Sequence, residues 1–101
     1  MFTQKDFAEI DADYFTILAL TGLNICLCSK NTRHLWTIHL KELWPNNKSL
    51  EIYHQHNKSD KPHTQPNFHP KNVIEAQLLI KDHDLYQIEE RGKNYKTREA
   101  E

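Results

Sequence analysis

The chain has 101 residues, enough for one hydrophobic core and too few for two. Its net charge is -1, which does not mark a strongly basic nucleic-acid binder. No segment approaches the roughly 20 apolar residues that a transmembrane helix needs. The first residues also lack the basic-then-apolar order of a signal peptide. We therefore expect a small cytoplasmic protein, and the excess of lysine over arginine fits a bacterial source.

The two cysteines, Cys26 and Cys28, are separated by one residue in an apolar run. If that run is a strand, their Cα atoms lie about 6 to 7 Å apart, near the upper limit for a disulfide. Free, buried thiols are therefore expected, as is usual in a reducing compartment.

Charge is unevenly distributed along the chain. Residues 30 to 71 contain seven basic and three acidic side chains, and six of the seven histidines lie in the same segment. Its positive charge should increase as the pH falls towards about 6, where imidazoles titrate. An anionic partner is expected to bind there.

The first predicted element is a helix from Gln4 to about Leu20. Thr3 and Asp6 resemble an N-terminal capping pair, and apolar residues follow at spacings of three and four. A short helix followed by a strand at Tyr14 to Leu20 is the alternative, since aromatic and β-branched residues also suit a pleated sheet.

Two alternating runs follow, Leu23 to Cys28 and Leu35 to Leu40, separated by a polar turn, and they predict a β-hairpin. With an even loop length, Leu27 pairs with Trp36 and Ile25 with Ile38. Cys26, Cys28, Thr37 and His39 then share the opposite face.

Leu50 to His56 predicts a third strand, and Asn57 to Pro70 a long loop that is either functional or mobile. Lys71 to Lys81 predicts a second helix, and Leu85 to Ile88 a short strand or a helix-capping segment. The predicted fold is α+β in α-β-β-β-α order, a three-stranded antiparallel meander between two helices. A single domain spans residues 1–88, and residues 89–101 form a charged, frayed tail.

One core is expected beneath this sheet, covered by the second helix. The residues assigned to it are Leu23, Ile25, Leu27, Trp36, Ile38, Leu50, Ile52, Ile74 and Leu78.

Histidines around the third strand suggest a metal site. His54 and His56 would point the same way from a strand, and a loop histidine, His63 or His69, could complete three ligands. The spacing matches none of the specific zinc motifs. Solvated or anion-contacting histidines are the alternative interpretation.

Catalytic signatures are weak. Cys26 and His39 share a face, but a thiol in mid-strand has no evident means of activation. With Gly22 and Gly92 as the only glycines, there is no phosphate-cradling loop. We expect no cofactor, and a binding protein rather than an enzyme.

Basic and aromatic side chains in the middle segment predict a contact surface, because such residues anchor many interfaces. Its predicted members are Arg33, Lys41, Trp44, Tyr53, Lys58, Lys61, His63 and His69.

The predicted order of elements from Gln4 to Lys81 resembles the double-stranded RNA-binding domain. That resemblance implies phosphate binding by a lysine cluster at the start of the second helix. Here Pro70-Lys71-Asn72-Val73 supplies one lysine.

The leading hypothesis is a non-catalytic interaction module that binds a protein or other macromolecule with the outer face of its sheet and its histidine-rich loop. Nucleic-acid binding is the first alternative, and a metal-binding protein or metalloenzyme the second. An exposed strand edge would also allow a homodimer to pair across a two-fold axis.

Overall fold

The computed structural model describes residues 1–43 and 47–91. In chain order the elements are α1 (Gln4–Ala8), β1 (Phe15–Leu20), β2 (Asn24–Ser29), β3 (Leu35–Leu43), β4 (Asn47–Gln55), β5 (His63–Thr64), α2 (Val73–Tyr86) and a π-helical turn (Gln87–Arg91). The strands form one antiparallel sheet in the order β1-β2-β3-β4-β5. Within the described ranges, no helix is both long and apolar enough to cross a bilayer.

The predicted three-stranded sheet with a long N-terminal helix is wrong. α1 contains only 5 residues, and the predicted pair of Thr3 and Asp6 caps its N-terminus. The chain then turns at Asp11, whose carboxylate accepts hydrogen bonds from the backbone N–H groups of Asp13 and Tyr14. The following residues pair with β2 as a strand, which buries Phe15. The alternative of a short helix followed by a strand describes this region correctly.

The second strand that the sequence did not predict, β5, lies inside the predicted loop. His63 and Thr64 pair with His54 and Tyr53 at the end of β4. A two-residue strand is too short to show a period-2 pattern, so the sequence did not indicate it.

The predicted hairpin register is confirmed. Leu27 lies opposite Trp36 and Ile25 opposite Ile38, and all four side chains are buried. The tight connection between β2 and β3 includes Arg33 at a φ of 66°, the left-handed conformation.

One hydrophobic core lies between the sheet and a layer formed by α2 and the N-terminal segment. Leu50 packs against this core, whereas Leu23, Ile74 and Leu78 are exposed, contrary to prediction. The buried apolar side chains are Phe2, Ile10, Phe15, Ile25, Leu27, Trp36, Ile38, Leu40, Ile52, Val73, Ala76 and Ile80.

α2 begins later and ends later than predicted. The Asn72 side chain caps it by accepting from the Glu75 N–H at 2.8 Å. The helix continues through Leu85 and Tyr86, so the strand suggested for Leu85 to Ile88 is not formed. Residues 92–101, most of the predicted tail, lie outside the described residues.

Candidate functional site

A fully buried carboxylate, Asp84, organises one end of the core. Three hydroxyl groups donate to it: Tyr14 at 2.7 Å, Thr32 at 3.1 Å, and Ser29. Ser29 in turn accepts from the Trp36 indole N–H at 3.1 Å. This network joins α2 to β2 and to the turn before β3, a structural role that sequence reasoning missed.

The same network leaves Tyr14 and Ser29 unsuited to nucleophilic chemistry. Burial and the hydrogen bond to Asp84 raise the pKa of Tyr14 to about 12, so its hydroxyl stays protonated. The Ser29 hydroxyl is buried and occupied both as donor and as acceptor.

Four imidazoles, those of His34, His54, His56 and His83, cluster beside Trp36. The ring centroid of His54 lies 4.8 Å from that of His34, 5.0 Å from that of His56 and 4.9 Å from that of His83. His54 also stacks on the Trp36 indole, with centroids 4.1 Å apart and planes at 17°. A hydrogen bond of 2.9 Å joins His54 Nε2 and His34 Nδ1.

This histidine cluster is built to stay neutral at its centre. Burial, followed by the neighbouring imidazoles, lowers the pKa of His54 to about 3. His54 therefore acts in the cluster as a hydrogen-bonding aromatic group.

The predicted metal ligands are only partly brought together. His54 and His56 are neighbours, but His63 is exposed and its Nε2 lies 3.7 Å from a carboxylate oxygen of Asp60 instead. Across residues 1–43 and 47–91, no group of three or more His, Cys, Asp or Glu side chains is arranged to hold a metal ion. Metal binding by His54, His56 and His63 stays a prediction, which elemental analysis of protein purified without an affinity tag would test.

Sequence reasoning missed His34 and His83 as members of the cluster. The β3–β4 register places Leu35 opposite Gln55. His34, just before β3, and His56, just after β4, therefore meet at the same end of the sheet. Correct pairing of β3 with β4 was therefore the signal that would have found His34. His83 required the orientation of α2, which the sequence did not reveal.

The second notable feature is the open face of the sheet, the face opposite α2. Three cross-strand rows form its centre: Cys28, Leu35 and Gln55; Cys26, Thr37 and Tyr53; and Asn24, His39 and Glu51. These side chains are half-buried by their neighbours in the sheet. The helices and the buried core residues lie on the other side of the sheet.

Polar groups at one end of this open face satisfy each other. His39 Nδ1 and Asn24 Oδ1 lie 2.8 Å apart, and the Tyr53 hydroxyl donates to Glu51 at 2.7 Å. Lys41 lies 3.6 Å from Glu51. The pKa of Glu51 is lowered, first by the Tyr53 hydrogen bond. The two remaining rows carry no charged side chain.

Both cysteines are free thiols on the face that strand parity predicted, but they are half-buried there and not buried as expected. Cys26 Sγ lies 3.8 Å from the Thr37 hydroxyl, while His39 is hydrogen-bonded to Asn24. Cys26 and His39 thus have other partners, and the arrangement gives no support to a thiol–base pair.

The predicted contact residues do not form one continuous patch. Arg33, Lys58 and Lys61 are exposed in the two connections at one end of the sheet, and exposed His63 lies beside them. Lys41 lies at the opposite end, and Tyr53 lies on the open face between the two ends. His69 borders a cleft near the start of α2. Trp44 lies outside the described residues.

Comparison of the chain with protein-family models, curated proteins and solved structures found no significant match.

Proposed function

We propose that this protein is a non-catalytic interaction module that binds a partner protein on the open face of its sheet. One observation carries the proposal: within the described part of the chain, the face opposite α2 has no covering element. An antiparallel sheet that is packed on one side and open on the other is a stable platform for a second surface.

The composition of the open face favours a protein partner. Its central rows contain Leu35, Thr37, Tyr53 and two thiols, and they lack charge. Protein interfaces are depleted of charge at their centre and enriched in aromatic residues. Tyr53 combines a large apolar ring with a hydroxyl and is the natural anchor of such a contact.

The positions of the basic side chains argue against the nucleic-acid alternative. Binding of a phosphate backbone needs a continuous basic surface. Here Arg33, Lys58 and Lys61 are separated from Lys41 by the length of the sheet. The resemblance to the double-stranded RNA-binding domain also fails topologically, because the sheet has five strands and α1 has 5 residues.

Quantitative affinity capture with matched variants tests the proposal. Thr37→Arg introduces a charge between Cys26 and Tyr53 at the centre of the open face. Leu78→Arg introduces the same charge on the exposed side of α2 and serves as the control. We expect a defined set of proteins to be captured by the wild type and by Leu78→Arg, and lost with Thr37→Arg.

Two outcomes would contradict the proposal. Identical sets of proteins with both variants would show that the open face is not the contact. Capture that disappears when salt is raised from about 50 to 200 mM, or on nuclease treatment, would instead support nucleic-acid binding.

A further inference from the structure

A cleft lies on the α2 side of the molecule, between β4 and the chain that leads into α2. One part has a volume of about 570 Å³ and is bordered by Phe2, Leu50 and Pro70. A second part of about 360 Å³ is bordered by Ile52 and Phe68. Leu50, Ser49 and His69 border both parts, so the cleft runs along β4.

Among residues 1–43 and 47–91, no strand pairs with the first half of β4 on the side away from β3, so this wall of the cleft is a strand edge. β5 pairs only with Tyr53 and His54, and the Gln65 N–H donates to the Ile52 carbonyl at 3.1 Å just beyond that pairing. Successive residues of a strand direct their backbone groups to opposite sides, so Leu50 presents its N–H and C=O on the same side as Ile52.

The pairing of β3 supports this assignment. The Leu40 N–H donates to the Leu23 carbonyl on the β2 side, and Leu40 is the register partner of Leu50. Leu50 and Leu40 therefore form a non-hydrogen-bonded pair in the β3–β4 ladder. The backbone groups of Leu50 face the cleft.

Two lysines and two carboxylates border the cleft, and the carboxylates are engaged by other groups. Exposed Lys48 and Lys71 line it; neither forms an ion pair with a described residue, although Lys48 lies opposite Glu42 in the sheet and helps to lower the pKa of that carboxyl group. Asp6 accepts from the Thr3 backbone N–H at 2.7 Å and belongs to the cap of α1, and Glu51 accepts from the Tyr53 hydroxyl at 2.7 Å on the open face. An anionic ligand fits these charges better than a cationic one.

We propose that this cleft binds an extended acidic peptide segment, which adds as a strand to the edge of β4 between Lys48 and Ile52. The peptide backbone pairs with the N–H and C=O of Leu50, as in other cases of strand addition. Its acidic side chains reach Lys48 and Lys71, and its apolar side chains contact Phe68 and Pro70. This site lies on the opposite side of the sheet from the open face and does not depend on the function proposed above.

An NMR titration of the ¹⁵N-labelled full chain tests this directly. Alternate residues of a strand face the same side, so the probes are capped pentapeptides with Glu at positions one and five and Val, Leu or Tyr at position three, which face the cleft together, and Thr at positions two and four; the controls carry Lys in place of Glu. We expect the glutamate peptides to bind and to shift the Leu50 and Ile52 amide signals most. Peptides N-methylated at the central residues should lose binding, because the strand pairing needs their N–H groups.

Matched charge reversals provide the control. Lys48→Glu combined with Lys71→Glu should weaken binding of the glutamate peptides by about tenfold or more. Lys58→Glu combined with Lys61→Glu makes the same change of charge away from the cleft and should leave the affinity nearly unchanged. Amide spectra of both double variants establish that they remain folded.

The proposal is overturned by any of three results. These are equal binding of lysine and glutamate peptides, shifts that lie away from β4, and the absence of binding by every glutamate peptide at about 1 mM.

Discussion

Buried Asp84 accepts hydrogen bonds from three hydroxyl groups, and it is the common acceptor of all three. Asp84→Ala leaves the hydroxyls of Tyr14, Ser29 and Thr32 without their common acceptor and creates a cavity beside Trp36. We expect a loss of about 2 to 4 kcal/mol in the free energy of unfolding. Exposed Asp82, on the same helix, provides the control, and Asp82→Ala should change it by less than about 0.5 kcal/mol. Urea denaturation measures both, and an Asp84→Ala variant as stable as the wild type would refute the role of the network.

The histidine cluster predicts a specific sensitivity to acid. The pKa of His54 falls from 6.5 in the unfolded chain to about 3 in the folded protein, so the unfolded state binds more protons in this range. His54 therefore leaves the free energy of unfolding unchanged above pH 6.5, where it is neutral in both states, and lowers that free energy as the pH falls from 6.5 towards 3. After allowance for solvent screening, we expect a loss of about 1 to 2 kcal/mol by pH 4.5.

This loss can be separated from the titration of carboxyl groups. The pKa values of Asp11, Glu42, Glu51 and Asp60 lie below their ordinary values of 3.8 or 4.5, so these groups contribute mainly at lower pH. His54→Leu should flatten the dependence of stability on pH between 6.5 and 4.5, whereas His69→Leu should retain it. Trp36, which stacks on His54, reports unfolding by fluorescence. An unchanged slope in His54→Leu would contradict the assignment.

At the scale of elements, α2 shows why the sequence predicted its existence but not its orientation. Its apolar residues surround much of the helix, so Ile74 and Leu78 were assigned to the core although they are 49% and 54% exposed. Polar bonds fix the orientation instead. The Gln77 side chain accepts from the Asp11 N–H at 2.7 Å and donates to the Glu9 carbonyl at 2.9 Å, and Asp84 accepts its three hydroxyls. Pairs of this kind, 66 and 68 residues apart, leave no periodic signal.

A pair of glutamate substitutions tests that orientation. Ile80→Glu places a charge in the core, where an unpaired carboxylate is strongly unfavourable, and should unfold the domain. Leu78→Glu lies two residues away on the exposed side and should change stability by less than about 0.5 kcal/mol. Far-ultraviolet circular dichroism during heating distinguishes the two. If Leu78→Glu were the unfolding variant, the assigned helix face would be wrong.

Some strands could be predicted from local sequence alone, whereas others depend on their neighbours in the sheet. The β2–β3 hairpin followed from parity because both strands alternate and their loop is short. β1 did not, because Tyr14 to Leu20 fits either a helix or a strand and its outcome depends on pairing with β2. Likewise, the contact surface predicted from composition is divided between the two ends of the sheet, since composition carries no information about which loops meet.

The loop from Asn57 to Pro70 contains two parts with different roles. Residues 57–62 form its exposed tip, whereas Phe68 packs against the core and Pro70 is buried. Replacing residues 57–62 by a Gly/Ser linker should leave the melting temperature nearly unchanged, because loop length costs little stability. The same replacement of residues 63–70 removes β5 and the packing of Phe68 and Pro70, and it should clearly lower the melting temperature. Equal melting temperatures for the two replacements would contradict this division.

At the scale of the whole molecule, the β1–β2 hairpin is free of charge. Residues 14 to 29 contain no Asp, Glu, Lys, Arg or His, and Ile17, Leu18 and Leu20 are exposed. Homodimer formation through this edge stays a prediction. Sedimentation analysis should show self-association that Leu18→Lys abolishes, since a two-fold axis would bring the two lysines together. A wild type that stays monomeric at millimolar concentration would refute it.

The open face carries two natural probes of its proposed binding role. Cys26 and Cys28 are the only cysteines of the chain, and both lie on that face. The most direct measurement is the rate at which iodoacetamide alkylates them, followed by mass spectrometry. The rate is compared between the free protein and its complex with a partner that the wild type captures and Thr37→Arg does not. We expect both thiols to be strongly protected in the complex. Alkylation at the same rate in the free and bound protein would contradict it.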